Sequence, residues 1–253
     1  MALLSCDFFS EALMVGTSVT VVLPQATEDQ IGVSDSGADG PPPVLYLLHG
    51  LTDDHTAWHR YTSVARYAEA AGLAVVMPSA FHSFYADEVH GHAYWTFVSE
   101  ELPAIVRSFF RVSDAPEDTF VAGLSMGGYG ALKLALTHPD RYAAAASLSG
   151  ALDVTYLAAR PDLAAVFGRA FDDVVGPADD LFALLDAASS VPPLYVGCGT
   201  EDHLFEATQR FLAAATAAGV DLTIDLRPGE HEWSLWDRMI EDVIGWLPIR
   251  RDR

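Results

Sequence analysis

The sequence predicts an α/β fold, a mostly parallel central sheet covered on both faces by helices. Three observations carry that expectation. Short continuous apolar runs, such as 44–48 and 119–124, read as strands buried on both faces. They alternate with helix-length segments, the pattern of crossover-connected parallel strands. At 253 residues, 51% of them apolar, the chain has ample side chains for one large core.

Taken in order, residues 15–23 alternate β-branched residues and stop at Pro24, an antiparallel-type strand signal. Residues 25–43 are acidic, rich in glycine and serine, and close on three prolines, which marks a surface loop. The buried run at 44–48 is followed by a short helix at 63–71, stopped by Gly72, and a strand at 73–77 ended by Pro78. Residues 95–110 have helical periodicity with Pro103 inside, which leaves room for a kink. The strand at 119–124 runs into a small-residue helix at 126–137. Strands are expected at 143–148, 194–198 and 221–226, and helices at 204–218 and 232–247. No repeat or linker divides the chain, so residues 1–253 are expected to form a single domain with a small cap insertion at about 151–190.

The chain carries 14 Lys plus Arg against 35 Asp plus Glu, a formal net charge of −21. That balance argues against nucleic acid, whose phosphates need a basic footprint, and against a polybasic membrane patch. No apolar run reaches the ~18 residues of a spanning helix. The opening residues lack Lys and Arg and include Asp7, unlike a secretory signal, so a cytoplasmic protein is expected. The two cysteines, Cys6 and Cys198, are expected to stay reduced.

Gly123-Leu-Ser125-Met-Gly127 is G-x-S-x-G between a buried strand and a small-residue helix. A serine on such a sharp turn sits in a strained conformation with its hydroxyl exposed, and bulky neighbours would clash there. Ser125 is therefore the expected nucleophile. It needs a base, and the base needs an orienting acid; in this architecture both follow it, acid first. Of the downstream histidines, His138 reads as a helix cap and His203 as an exposed helix-opening residue. His231, in a loop between the last strand and last helix, fits the base. The acid belongs after the preceding strand, where Glu201 and Asp202 stand together. Asp202 is favoured, with Glu201 the alternative. The oxyanion hole is expected from the N–H groups of Met126 and Leu51, Gly50 allowing the turn that aims the latter. His49 precedes the nucleophile and reads as a brace of that loop.

Four ordered segments carry a family resemblance: 47–58 (LLHGLTDDHTAW), 123–130 (GLSMGGYG), 199–202 (GTED) and 229–233 (GEHEW) with Trp236. Together they resemble the esterase D-like α/β-hydrolases, nearest the tributyrin esterase and acetyl or feruloyl esterase branch, over about residues 15–247. The resemblance implies a serine carboxylesterase for short acyl or aryl esters, working through an acyl-enzyme with Ser125, Asp202 and His231 as triad and Leu51 and Met126 as oxyanion hole. S-formylglutathione hydrolases and mycolyltransferases are cousins, so a thioesterase or acyltransferase is the alternative. A silent hydrolase fold used for binding would lack a triad member, and none is missing. The resemblance also makes a homo-oligomer plausible.

No cofactor is expected. Asp53-Asp54-His55 and His82, His90 and His92 lack the spacing of a metal motif. Trp58, Trp95 and Trp233 are candidate walls of an acyl or alcohol pocket, the alternative being that such aromatics cap the sheet edge. Phe167, Phe171, Leu181 and Phe182 of the insertion are expected to line the acyl pocket or mediate oligomer contacts.

Overall fold

The computed structural model describes residues 1–27, 31, 40–160 and 176–250. A hairpin opens the chain, β1 (Ala2–Ser10) paired antiparallel with β2 (Val15–Leu23). There follow β3 (Val44–Leu48), α1 (Ala57–Tyr61), α2 (Val64–Ala71), β4 (Ala74–Pro78), α3 (Tyr94–Thr96), α4 (Leu102–Phe109), β5 (Thr119–Leu124) and α5 (Met126–Thr137). The last part comprises β6 (Ala144–Leu148), α6 (Val154–Ala158), α7 (Leu181–Ala187), β7 (Leu194–Gly199), α8 (Phe205–Ala217), β8 (Leu222–Arg227) and α9 (Trp233–Trp246).

The strands form one sheet in the order β1-β2-β4-β3-β5-β6-β7-β8, parallel from β4 to β8. This is the α/β-hydrolase architecture. β3, β4, β6 and β7 are buried at every residue, as continuous apolar runs require when helices cover both faces. β8, at an edge, alternates instead. Two apolar clusters fill the spaces on either side of the sheet.

Two expectations change and one is refined. Residues 2–10 form an edge strand that the sequence did not announce. Around Pro103 the helical stretch is irregular rather than a plain α-helix: it widens into a π turn at Phe97–Glu101, just before the proline in α4. Within the insertion, Leu181 is buried in the core and Phe182 sets its ring edge-on against Phe211 of α8, so these two pack the fold rather than an acyl pocket. Phe167 and Phe171 lie outside the described residues.

The insertion is held at both roots by charge pairs. Asp153 caps α6 and accepts from Arg210 Nε at 2.6 Å. Asp179 accepts from Lys133 Nζ at 2.6 Å, while the Tyr129 hydroxyl donates to its carbonyl at 2.7 Å. Lys133, the chain's only lysine, is buried; burial pulls its pKa down and Asp179 opposes that. Removing one partner of a buried pair strands the other charge. Lys133→Met is therefore expected to lower unfolding free energy by about 3 kcal/mol in urea titration, and Lys133→Met with Asp179→Leu to recover more than half of that loss.

Candidate active site

The functional side chains gather at the carboxyl ends of β3, β5, β7 and β8, where open α/β sheets bind ligands. Ser125 joins β5 to α5 at φ 53°, ψ −118°, a region that L-residues rarely occupy. Backbone bonds fix it there: its N–H donates to Leu148 O at 2.9 Å, and its carbonyl accepts from Tyr129 and Ala151 N–H, both at 3.1 Å. The flanking glycines follow from contact distance. A Cβ on Gly123 would lie 2.3 Å from Gly127 O, and one on Gly127 would lie 2.4 Å from Leu48 O. Both are backbone clashes that no side-chain movement relieves.

His231 Nδ1 and Asp202 Oδ2 are 2.8 Å apart. The other Asp202 oxygen accepts the Leu204 N–H at 2.8 Å. Burial pushes the Asp202 carboxyl up, but the His231 hydrogen bond and charge, Leu204 N–H and the Ser149 hydroxyl outweigh it and hold the group below the usual Asp range. Ser149 in turn accepts from Trp236 Nε1 at 3.1 Å, and the Trp236 ring stands edge-on to His231 with centroids 4.8 Å apart. Glu201 is placed otherwise. It is exposed and binds Gly229 N–H at 2.6 Å, which with the Thr200 hydroxyl lowers its pKa; it props the histidine loop from outside.

The loop after β3 is locked from several sides. His49 Nε2 accepts the Ala80 N–H at 2.9 Å, so Nδ1 carries the proton and donates to Gly50 O at 2.6 Å. Burial pushes the His49 pKa down to about 4 despite the favourable Gly50 carbonyl, leaving a neutral brace. Asp53 N–H also donates to Gly50 O at 3.2 Å, and the Tyr85 hydroxyl donates to His49 O at 3.0 Å. The Gly50 carbonyl thus faces His49 and Asp53, and a trans peptide turns the following N–H, that of Leu51, the opposite way. A Cβ on Gly50 would lie 3.5 Å from Ser125 Cβ, so this loop abuts the serine.

Ser125, His231, Leu51 and Trp233 line one cavity of about 260 Å³, together with Asp53, His203 and Trp236. Sequence reasoning gave the last three no role in the pocket; the 233/236 spacing, which puts both indoles on one helix face, was the signal for Trp236. Trp58 is buried beneath the cavity, its N–H on Leu48 O at 3.0 Å and its ring edge-on to Trp233, so it supports the wall without lining it. Trp95 stands apart, stacked near His138 and 4.2 Å from Lys133 Nζ, in a separate depression. A larger hollow of about 330 Å³ opens near Val44 and Thr119, at the amino ends of β3 and β5, and has no histidine among its lining residues. Position, not size, marks the smaller one. Among the described residues, one group could hold a metal ion: Asp202, His203 and His231, whose ligand atoms lie within 4.8 Å of one another. Asp202 and His231 are already hydrogen-bonded to each other.

A serine on a strained strand-to-helix turn, beside a histidine–aspartate pair, defines a serine hydrolase of the α/β-hydrolase class. Residues 10–246 match the Esterase family, and the chain belongs to it, a carboxylic ester hydrolase. An acetyl esterase of Caldicellulosiruptor saccharolyticus is 29% identical over 98% of both chains. The fluorophosphonate-binding serine hydrolase F of Staphylococcus aureus is 35% identical, with TM-score 0.84 over 97% of this chain and 98% of that one. An S-formylglutathione hydrolase of the same organism is 34% identical, with TM-score 0.83 over 97% and 98%.

The strain at residue 125 is measurable. Ser125→Gly accepts φ 53° freely, whereas Ser125→Ala keeps the strain. The glycine variant is expected to be more stable than the alanine variant by about 1 kcal/mol in urea titration, although glycine ordinarily destabilises.

Proposed function

We propose that residues 1–253 act as a single-domain, cytoplasmic serine carboxylesterase that cleaves short acyl esters without a cofactor. The observation that carries this reading is His231, paired with Asp202 at 2.8 Å, lining the same cavity as Ser125 on its strained turn. Ser125 Oγ attacks the ester carbonyl. With Nδ1 engaged by Asp202, His231 Nε2 takes the serine proton and passes it to the departing alcohol. Water, activated by the same histidine, then releases the acid from the acyl-enzyme. Asp202 stays ionised throughout and holds the imidazole in one tautomer. The N–H groups of Leu51 and Met126 receive the oxyanion; the locked Gly50 carbonyl supports the first of these.

A cavity of about 260 Å³ suits an acetyl or butyryl group better than a long chain. A small-molecule ester is the partner, and the −21 charge disfavours nucleic acid. Thioester hydrolysis is the second reading, favoured by the likeness to the staphylococcal S-formylglutathione hydrolase.

Turnover of p-nitrophenyl acetate, butyrate and octanoate beside S-formylglutathione tests both readings. Acetate and butyrate should lead octanoate in kcat/KM; a thioester rate far above every oxygen ester would establish the second reading. Ser125→Ala should lose at least about 10³-fold in kcat/KM. Asp202→Asn should lose about 10³–10⁴-fold in kcat, while Glu201→Gln stays within a few-fold of wild type. A large loss at Glu201 alone would make Glu201 the acid. The depressed Asp202 pKa also fixes a sign: its stabilising contribution is present above the unfolded pKa near 3.8 and is lost only as pH falls below that. Acid loss of activity at higher pH therefore belongs to another group.

A further inference from the structure

The cavity holding Ser125 and His231 has one fixed carboxylate in its wall, Asp53, and no Lys or Arg among its lining residues. Asp53 is half-buried, three residues after the glycine whose hypothetical Cβ lies 3.0 Å from its Oδ2. We propose that Asp53 sets the charge preference of this esterase, admitting uncharged and cationic esters and rejecting anionic ones. The proposal rests on the reading of Ser125 as nucleophile.

Asp53 lines the cavity beside Ser125, and its pKa is held above the ordinary Asp value. Burial raises its pKa; the Gly50 N–H hydrogen bond opposes that, Asp54 adds to it, and Arg60 and His231 lower it. Arg60 lies 3.7 Å from Asp54 and is exposed, so its charge is shared and solvated. His203, also in the cavity wall, sits 3.6 Å from Asp202. Beyond the cavity, His231 is flanked in the chain by the exposed Glu230 and Glu232. A substrate carrying a carboxylate therefore meets the Asp53 carboxylate in the wall, with no Lys or Arg among the lining residues to receive it. The carboxylate of Asp53 has a second role, as acceptor of the Gly50 N–H, so a test must separate charge from loop support.

Paired acetates do this, because each pair shares its acyl group and any change in the oxyanion loop cancels in the ratio. The anionic pair is 4-acetoxybenzoate against its methyl ester; the cationic pair is acetylcholine against 3,3-dimethylbutyl acetate. At low ionic strength the wild type should prefer methyl 4-acetoxybenzoate over 4-acetoxybenzoate in kcat/KM. Asp53→Asn keeps an acceptor for Gly50 N–H and should shrink that preference about tenfold, the effect of one unit charge a few ångströms away in a wet cavity. It should also lower the acetylcholine ratio by a similar factor. In wild type, both ratios should move toward unity as salt approaches 1 M, where the screening length is about 3 Å. Asp53→Ser, which removes the charge with a smaller side chain, reads the same ratios should Asp53→Asn fail to fold. Ratios that ignore both Asp53→Asn and salt, with hydrolysis still lost in Ser125→Ala, would overturn this proposal alone. Hydrolysis surviving in Ser125→Ala would overturn the nucleophile reading and this proposal with it.

Discussion

The turn after β5 and the loop after β3 meet through backbone. At residue 127 there is no space for a methyl group, because its position lies 2.4 Å from Leu48 O. That close approach brings the 49–51 loop to within reach of Ser125, which stands at φ 53°. Strain of this kind costs on the order of 1–3 kcal/mol and persists only where surrounding structure over-determines it. Here the over-determination is explicit: three backbone bonds to residues 148, 129 and 151 hold Ser125, and β5 is paired on both sides along its length.

Around this contact, burial and hydrogen bonding give neighbouring titratable groups different states. His49 is kept neutral because burial outweighs a single carbonyl partner, and so it serves as a fixed strut. Asp202, also buried, is kept charged because three donors, the His231 ring, the Leu204 N–H and the Ser149 hydroxyl, together with the His231 charge outweigh its burial penalty. The strut orients the Gly50–Leu51 peptide; the charged acid orients His231. Trp236 braces the Asp202–His231 pair, touching His231 with its ring and reaching Asp202 through Ser149. Preorganisation of this kind lets donors act without reorganising as charge develops.

Much of this was legible in the residues. The buried strands declared themselves as unbroken apolar runs, and G-x-S-x-G marked the sharp turn at Ser125 because only glycine tolerates such approaches. β1 escaped because an edge strand carries apolar side chains on both faces: Leu4, Cys6 and Phe8 are half-buried while Leu3 and Phe9 are exposed, which blurs the period of two. The aromatics escaped for a different reason. Trp58, Trp95 and Trp233 each stand at or near a helix start, yet where each ring packs depends on tertiary structure: one supports the cavity wall, one faces Lys133, one lines the cavity. Asp53 reads in sequence only as part of Asp53-Asp54-His55, a triplet without metal-motif spacing, and only the folded loop puts it in the cavity wall with Ser125.

Covalent labelling tests the centre of this account most directly. Diisopropyl fluorophosphate, which traps an activated serine, should add one adduct per chain by intact mass, on the peptide bearing Ser125. Labelling should vanish in Ser125→Ala. An adduct on another residue, or undiminished labelling of that variant, would contradict the account.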